Sequence, residues 1–188
     1  MSSSPTENSF TIESVKALVK DYPDFPKDGI LFKDIFPIFQ NHRALDCLLN
    51  HMADEAITFS KKLNGSKIDA VVGLDARGFL FGPTLALKLE AKFVPIRKRG
   101  KLPGILVSAS YEKEYGVDIV EIQADSINQG DNVLIVDDLL ATGGTCRAAE
   151  DLIKKLGANV VLNQFVIELC ELNGRDILEA PIHSVIKY

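Results

Sequence analysis

The amino-acid sequence predicts an α/β fold, a mostly parallel central sheet flanked by helices, on three observations. Strand-length apolar runs recur at Ile68 to Leu74, Phe93 to Ile96, Val133 to Val136 and Ala158 to Leu169. The run from Val133, with three β-branched residues, reads as a strand buried on both faces. Helical patterns alternate with these runs, as parallel sheets require. The runs ending at Leu74 and Val136 pass through short turns into helices, and open α/β sheets bind ligands outside the carboxyl ends of such strands. With 188 residues, one domain spanning residues 1–188 around one sizeable core is expected.

Along the chain, residues 1–9 are rich in Ser and expected to be loose. Ile12, Val15, Leu18, Val19 and Tyr22 then recur at helical spacing, with Ser9 or Thr11 as N-cap. Pro23, Pro26 and Gly29 break that helix. Gly29 to Phe39 is dense in aromatics but too short for a core of its own. Its Phe residues suit structural packing, although such side chains on a loop also sandwich flat heterocycles. Asn41 can cap a helix to about Leu63, with Leu45, Leu48, Leu49, Met52, Ala56 and Phe59 on its buried side. Another helix runs to about Leu89, and Val117 to Gln123 returns as a strand by its alternation. Cys146 to Leu156 reads as a helix, Leu172 to Asp176 as a Gly-containing turn, and Ile182 to Ile186 as a closing strand.

Most of the chemistry lies in Val-Leu-Ile-Val-Asp-Asp-Leu-Leu-Ala-Thr-Gly-Gly-Thr, Val133 to Thr145. Asp137 and Asp138 fall where the strand is expected to end. A helix start offers unpaired N–H groups and partial positive charge, which suit a phosphate. Gly143 and Gly144 let backbone amides approach it closely. Thr142 and Thr145 add hydroxyl donors, and the carboxylates can accept hydrogen bonds from sugar hydroxyls. A phosphate grip beside a diol grip points to a ribose 5-phosphate. Helix capping explains less, because it takes one carboxylate immediately before the first turn, whereas four residues separate Asp138 from Gly143. A nucleotide-triphosphate loop fits poorly, since no Lys follows the glycines.

Asp75-Ala76-Arg77-Gly78-Phe79 repeats the strand, turn and helix arrangement. Arg77 is either a solvated helix-start residue or an anion ligand with a planar fork. A cation there opposes the helix dipole, which puts the two readings on an equal footing. Arg97-Lys98-Arg99-Gly100-Lys101 is a solvated face or, in a chain of net charge −5, a receiver of pyrophosphate. Leu102 to Gly116, containing Tyr111, Glu112, Glu114 and Tyr115, reads as a long excursion or hairpin, a frequent form of lid.

Composition excludes several classes. Hydrophobic residues at 46% and charged residues at 25% are ordinary for a globular protein. No basic stretch is long enough for a nucleic-acid groove or a membrane-surface patch. Cys47, Cys146 and Cys170 share no metal-type spacing and suggest no disulfide framework, and Cys146 reads as a core-facing thiol. His42 and His51 fall outside ligand-like pairings, and His183 reads as structural. With no apolar signal segment in Met1 to Asn8 and no run of membrane-spanning length, a cytoplasmic setting is expected.

Together with Gly73 to Pro83, Arg97 to Gly104 and Tyr111 to Gly116, the Val133 to Thr145 motif resembles the adenine phosphoribosyltransferase family, within the type I phosphoribosyltransferases. The likeness runs from about Tyr22 to the last strand. It implies the type I phosphoribosyltransferase fold, with residues of about 22–40 as an N-terminal hood over the base and a mobile lid loop. The implied reaction joins adenine and 5-phosphoribosyl 1-pyrophosphate to give AMP and pyrophosphate. It is a magnesium-dependent purine-salvage transfer through an oxocarbenium-like transition state. Carried over by position, Ala141, Thr142, Gly143, Gly144 and Thr145 hold the 5′-phosphate, and Asp137 and Asp138 face the ribose hydroxyls. Arg77, Arg97, Lys98 and Lys101 serve pyrophosphate. Phe32 stacks on adenine, backbone groups of Leu31 and Lys33 read its edge, and Leu139 lies on the opposite face. Glu114 is the implied acid/base, assisted by Arg77 and Lys101. Mg²⁺ is held mainly by substrate and water, and a non-proline cis peptide falls at Asp75–Ala76. A homodimer is implied, with the Arg97 to Lys101 stretch serving the neighbouring subunit's site.

Two other readings compete. The same chemistry on hypoxanthine or guanine needs a donor to the 6-oxygen, and Asp137 to Thr145 carries no Lys. A non-catalytic ribose-phosphate sensor should lose the lid and pyrophosphate residues, whereas Arg77, Lys101 and Glu114 are present.

Overall fold

The computed structural model describes residues 10–62, 67–113 and 116–188, with backbone alone at 112 and 113. Residues 1–9, expected to be loose, and Glu114, expected in the lid, lie outside the described residues. Contacts divide the chain into a unit ending at His51 and a unit from Met52 to Tyr188.

In the first unit, helix α1 spans Ile12–Lys16, and Thr11 Oγ1 accepts the Ser14 amide at 3.3 Å. The helix expected through Tyr22 stops earlier. Lys20–Pro23 is instead strand β1, antiparallel to β2 (Leu31–Asp34), with Tyr22 opposite Phe32. The reason is local: the residue before a proline is driven to extended backbone, and ladder pairing then takes up the freed backbone groups. Gly29, at φ +81°, donates its amide to Asp24 Oδ1 at 2.8 Å and so closes the connecting loop. After α2 (Phe36–Phe39), Asn41 caps α3 (His42–Lys62) as expected, its Oδ1 accepting the Arg43 and Ala44 amides at 3.1 and 3.3 Å.

Among the described residues, the second unit holds a seven-stranded sheet ordered β5-β6-β4-β3-β7-β8-β9. The strands are β3 (Ala70–Leu74), β4 (Lys92–Lys98), β5 (Leu106–Lys113), β6 (Gly116–Gln123), β7 (Asn132–Leu140), β8 (Asn159–Glu168) and β9 (Ile182–Lys187). The run β4-β3-β7-β8-β9 is parallel, and the β5–β6 hairpin adds antiparallel strands at the β4 edge. Helices α4 (Gly82–Lys88) and α5 (Gly144–Lys155) follow β3 and β7. Val72, Leu74, Ile96, Ile122, Ile135, Leu152 and Phe165 are buried in one apolar cluster that joins the sheet to α5. Burial of this area drives folding at roughly 25 cal/mol per Å² of apolar surface. No described helix is long and apolar enough to cross a membrane.

One expectation needs correcting. Strand β7 does not end at Val136; it continues through Asp137, Asp138 and Leu139 to Leu140. Pairing with β3 stops at Gly73–Val136, but pairing with β8 continues to Leu140–Glu168. The two carboxylates therefore sit on a strand with one paired edge and one released edge. That holds them more firmly than a loop would.

Candidate active site

The site is built where β7 outruns β3. Helix α5 begins after Gly143, which is left-handed at φ +82°. Among the described residues, no hydrogen bond takes up the amides of Thr142, Gly143, Gly144, Thr145 or Cys146. A twelve-residue helix thus presents its positive end and a row of free donors. The loop lines a cavity of about 90 Å³ that also touches Asp137, Leu139 and Phe165.

A second cavity of about 220 Å³ shares Asp137 and Thr145 with the first and is otherwise lined by Asp75, Lys98 and Tyr111 among others. The two hollows therefore neighbour one another across these two residues. A larger hollow, about 350 Å³, lies beside Glu150, Lys154 and Glu179. Its charges are already engaged: Glu150 accepts the Glu179 and Ala180 amides at 3.0 Å, and Glu179 pairs with Arg147 and Lys154.

The turn after β3 supplies the cation. Asp75–Ala76 is a cis peptide, and residues Arg77–Leu80 form a 3-10 turn. A Cβ on Gly78 would stand 2.6 Å from the Val136 carbonyl oxygen, so this turn presses directly on β7 just before the carboxylates. One residue away, Arg77 reaches Asp138, Nε to Oδ2, at 2.9 Å. Arg97 on β4 makes a similar pair with Asp75 at 2.9 Å, and another of its nitrogens donates to the Lys101 carbonyl at 3.2 Å. Lys98 and Lys101 are exposed.

Charge in the carboxyl pair is unequal. Burial and the neighbouring Asp138 charge push the Asp137 carboxyl well above its usual range, while its Oδ1 accepts the Asp138 amide at 2.9 Å. Burial also raises Asp138, but the Arg77 guanidinium opposes that rise. Of the two, Asp137 is the carboxyl that burial biases most toward its protonated form, and Asp138 is the one whose charge Arg77 balances.

Expected residues gather unevenly. Asp137, Asp138, Leu139, the loop from Ala141 to Thr145, Arg77 and Lys98 come together at the strand ends. Leu31, Phe32 and Lys33 lie in the first unit on β2. There the Phe32 ring meets Phe25 edge-on at 5.1 Å and Lys33 Nζ pairs with Asp21 at 2.8 Å. Cys146 is the core-facing thiol expected, donating to Asn163 Oδ1 at 3.3 Å. Sequence reasoning singled out neither Asp75 as Arg97's partner nor Asn163. Asp75 sits at the end of a buried run, the same signal that exposed Asp137.

A phosphoribosyl transferase domain model matches residues 45–170. An adenine phosphoribosyltransferase of Yarrowia lipolytica is 50% identical, covering 92% of this chain and 93% of that protein. The crystal structure of the Saccharomyces cerevisiae adenine phosphoribosyltransferase, complexed with an imino-altritol bisphosphate and adenine, is 48% identical. It superposes with a TM-score of 0.87 and covers 93% of this chain and 97% of that one. The Trypanosoma brucei adenine phosphoribosyltransferase, in complex with AMP, pyrophosphate and ribose-5-phosphate, is 26% identical with a TM-score of 0.81. The alignment covers 93% of this chain and 78% of that one.

Proposed function

The chain belongs to the adenine phosphoribosyltransferases, and from that membership we propose that it makes AMP and pyrophosphate from adenine and 5-phosphoribosyl 1-pyrophosphate, as a purine-salvage transferase. The observation that carries the reading is the row of undonated amides from Thr142 to Cys146 beside Asp137 and Asp138. That array matches a phosphate next to a diol.

The roles follow from charge. The 5′-phosphate sits on the α5 amides with the hydroxyls of Thr142 and Thr145. Asp138, held ionised by Arg77, accepts from a ribose hydroxyl. Asp137, whose carboxyl burial biases toward the protonated form, offers that hydroxyl a second oxygen pair. As the bond from C1′ to pyrophosphate lengthens, negative charge builds on the leaving group and positive charge on the ribose. Arg77, Lys98 and Lys101, with Arg97 behind them, receive the first. The ionised Asp138 faces the second. No covalent nucleophile is needed.

Magnesium fits the oxygen-bearing residues that line the second cavity, Asp75, Asp137 and Thr145, since hard cations take oxygen ligands. Substrate oxygens and water would hold it in the main, and Asp137 would add a ligand only on giving up a proton. When bound, Mg²⁺ supplies counter-charge to the leaving pyrophosphate.

For the base, Phe32 stacks on adenine while backbone groups of Leu31 and Lys33 read its edge. The Lys33 ammonium is committed to Asp21, which leaves the backbone for that task. Leu139 offers an apolar surface beside the phosphate loop. Glu114 exchanges a proton with the purine as the glycosidic bond forms. A cytoplasmic homodimer completes the proposal, its assembly state read by sedimentation.

The test is AMP formation from adenine, hypoxanthine and guanine, with and without chelator. Adenine-specific, chelator-sensitive turnover is expected. Binding of ribose phosphate without turnover would make the protein a sensor, and turnover of an oxopurine would reassign the base. Glu114→Ala should keep ribose 5-phosphate binding and lose about 10²–10⁴-fold in kcat, the usual size of general acid–base help. Unchanged turnover removes Glu114 from the mechanism.

A further inference from the structure

The phosphate loop rests on a second loop to which the reaction assigns no task. Leu140, where β7 passes into the phosphate loop, lies opposite Glu168, the last residue of β8. The chain leaving β8 is tied on both sides. The Leu169 amide donates to the Leu140 carbonyl at 2.9 Å and the Cys170 amide to the Tyr188 carbonyl at 2.9 Å. Two 3-10 turns follow, Cys170–Leu172 and Gly174–Ile177, and the second returns against the phosphate loop.

That approach is backbone on backbone. A Cβ on Gly174 would overlap the Ala141 carbonyl oxygen and stand 2.9 Å from the Gly143 nitrogen, and one on Gly143 would overlap the Gly174 carbonyl oxygen. No side chain fits on either side of the contact.

A fork holds the second loop in place. Arg175 Nε donates to Glu168 Oε1 at 2.6 Å and Nη2 to Oε2 at 2.8 Å. The acceptor is 3% exposed on the sheet, and the donor adjoins Gly174. A bidentate pair fixes orientation as well as distance, so the sheet dictates where Gly174 lies.

We propose that Glu168 and Arg175 are positioning residues for phosphate binding: their fork seats Gly174 beneath Ala141 and Gly143, and so aims the amides of Thr142 to Cys146. The inference rests on reading that loop as the phosphate grip. Aimed donors lose their advantage when they stray by fractions of an ångström, and a loosened loop must be ordered again at each binding event.

The test compares wild type with Arg175→Met, Arg175→Lys and Glu168→Gln in the full chain. Ribose 5-phosphate binding is read by calorimetry, and KM by initial rates. Arg175→Met should raise the ribose 5-phosphate Kd and the KM for 5-phosphoribosyl 1-pyrophosphate by about tenfold, with the adenine KM within about twofold. Glu168→Gln should shift the same quantities in the same direction. Arg175→Lys, which keeps the charge and loses the fork, should fall between. A Kd within about twofold of wild type, or an adenine KM rising in step, overturns the inference. Should Arg175→Met fail to fold, Arg175→Lys decides by the same criterion. A wild type that neither binds ribose 5-phosphate nor makes AMP defeats the functional reading. A wild type that does both beside unaltered variants defeats only the positioning role.

Discussion

The turns after β3 and β7 leave adjacent parallel strands at the same end of the sheet, yet they offer an anion different kinds of group. After β7, the donors are main-chain amides set by a left-handed Gly143 and backed by a helix of twelve residues. After β3, the donor is the Arg77 side chain, aimed by a 3-10 turn and balanced by the Asp138 carboxylate at 2.9 Å. Main-chain amides carry no net charge and need no partner when the ligand is away. A guanidinium beside the sheet needs one, and the carboxylate that supplies it comes from the other turn. Each turn therefore depends on the other unequally: the amides can stand alone, whereas the cation cannot.

The largest expected effect comes from Arg77→Ala. It removes a cation from the leaving group, a loss of about 10²–10³-fold in kcat for one such donor. It also strands Asp138, 7% exposed, without its counter-charge. Breaking a buried pair costs about 3–5 kcal/mol; Arg77 is itself 34% exposed, which places the cost at the lower end. Kinetics and urea unfolding read the two effects separately. A variant as stable as wild type would show that Asp138 does not rely on Arg77, and the asymmetry between the turns would vanish.

Gly143→Ala probes the other turn. A side chain at φ +82° and against the Gly174 carbonyl displaces the loop. The left-handed geometry alone costs about 1–2 kcal/mol. Affinity for ribose 5-phosphate should drop by about tenfold or more, with Asp138 still paired and kcat at saturating substrate changed less than in Arg77→Ala. An equal drop in kcat would mean that the two turns act as one unit.

These differences also explain what the sequence could reveal. Asp137 to Thr145 was legible because each element of a main-chain grip leaves a local mark: an apolar run, adjacent acids, two glycines, a helical pattern. The continuation of β7 to Leu140 was not, because it depends on a partner strand more than twenty residues later. The β1–β2 ribbon hid for a related reason, since Ile12 to Tyr22 mimics a helical stripe. Pro23 marks where it must stop, but the partner that makes its end a strand, Phe32 opposite Tyr22, lies ten residues on. The Glu168–Arg175 fork was invisible because a spacing of seven across two turns has no periodicity to detect. Arg77 could be placed at a strand end but not paired, because its partner belongs to another strand.

The smallest effect separates two buried carboxyls, one before the phosphate loop and one behind it, by the sign of their pH dependence. Burial and Asp138 raise Asp137 well above the ordinary 3.8. The folded protein therefore holds more protons than the unfolded chain between that value and the raised one. Stability falls as pH climbs through this window and stays lower beyond it. Asp137→Asn is neutral throughout, so it should be more stable than wild type at pH 7, by about 2–4 °C in Tm per kcal/mol gained, and no more stable near pH 3. Glu168 runs the other way. Arg175 holds its carboxyl at about 2 against an ordinary 4.5, so its contribution is complete above pH 4.5 and lost as pH falls toward 2. Glu168→Gln should accordingly lower Tm at pH 7, and the deficit should shrink on acidification. Thermal scans of both variants from pH 3 to 8 give two slopes. An Asp137→Asn variant that loses stability at neutral pH would show that burial does not raise the Asp137 carboxyl. A Glu168→Gln variant that gains would show that the Arg175 fork does not hold its carboxylate.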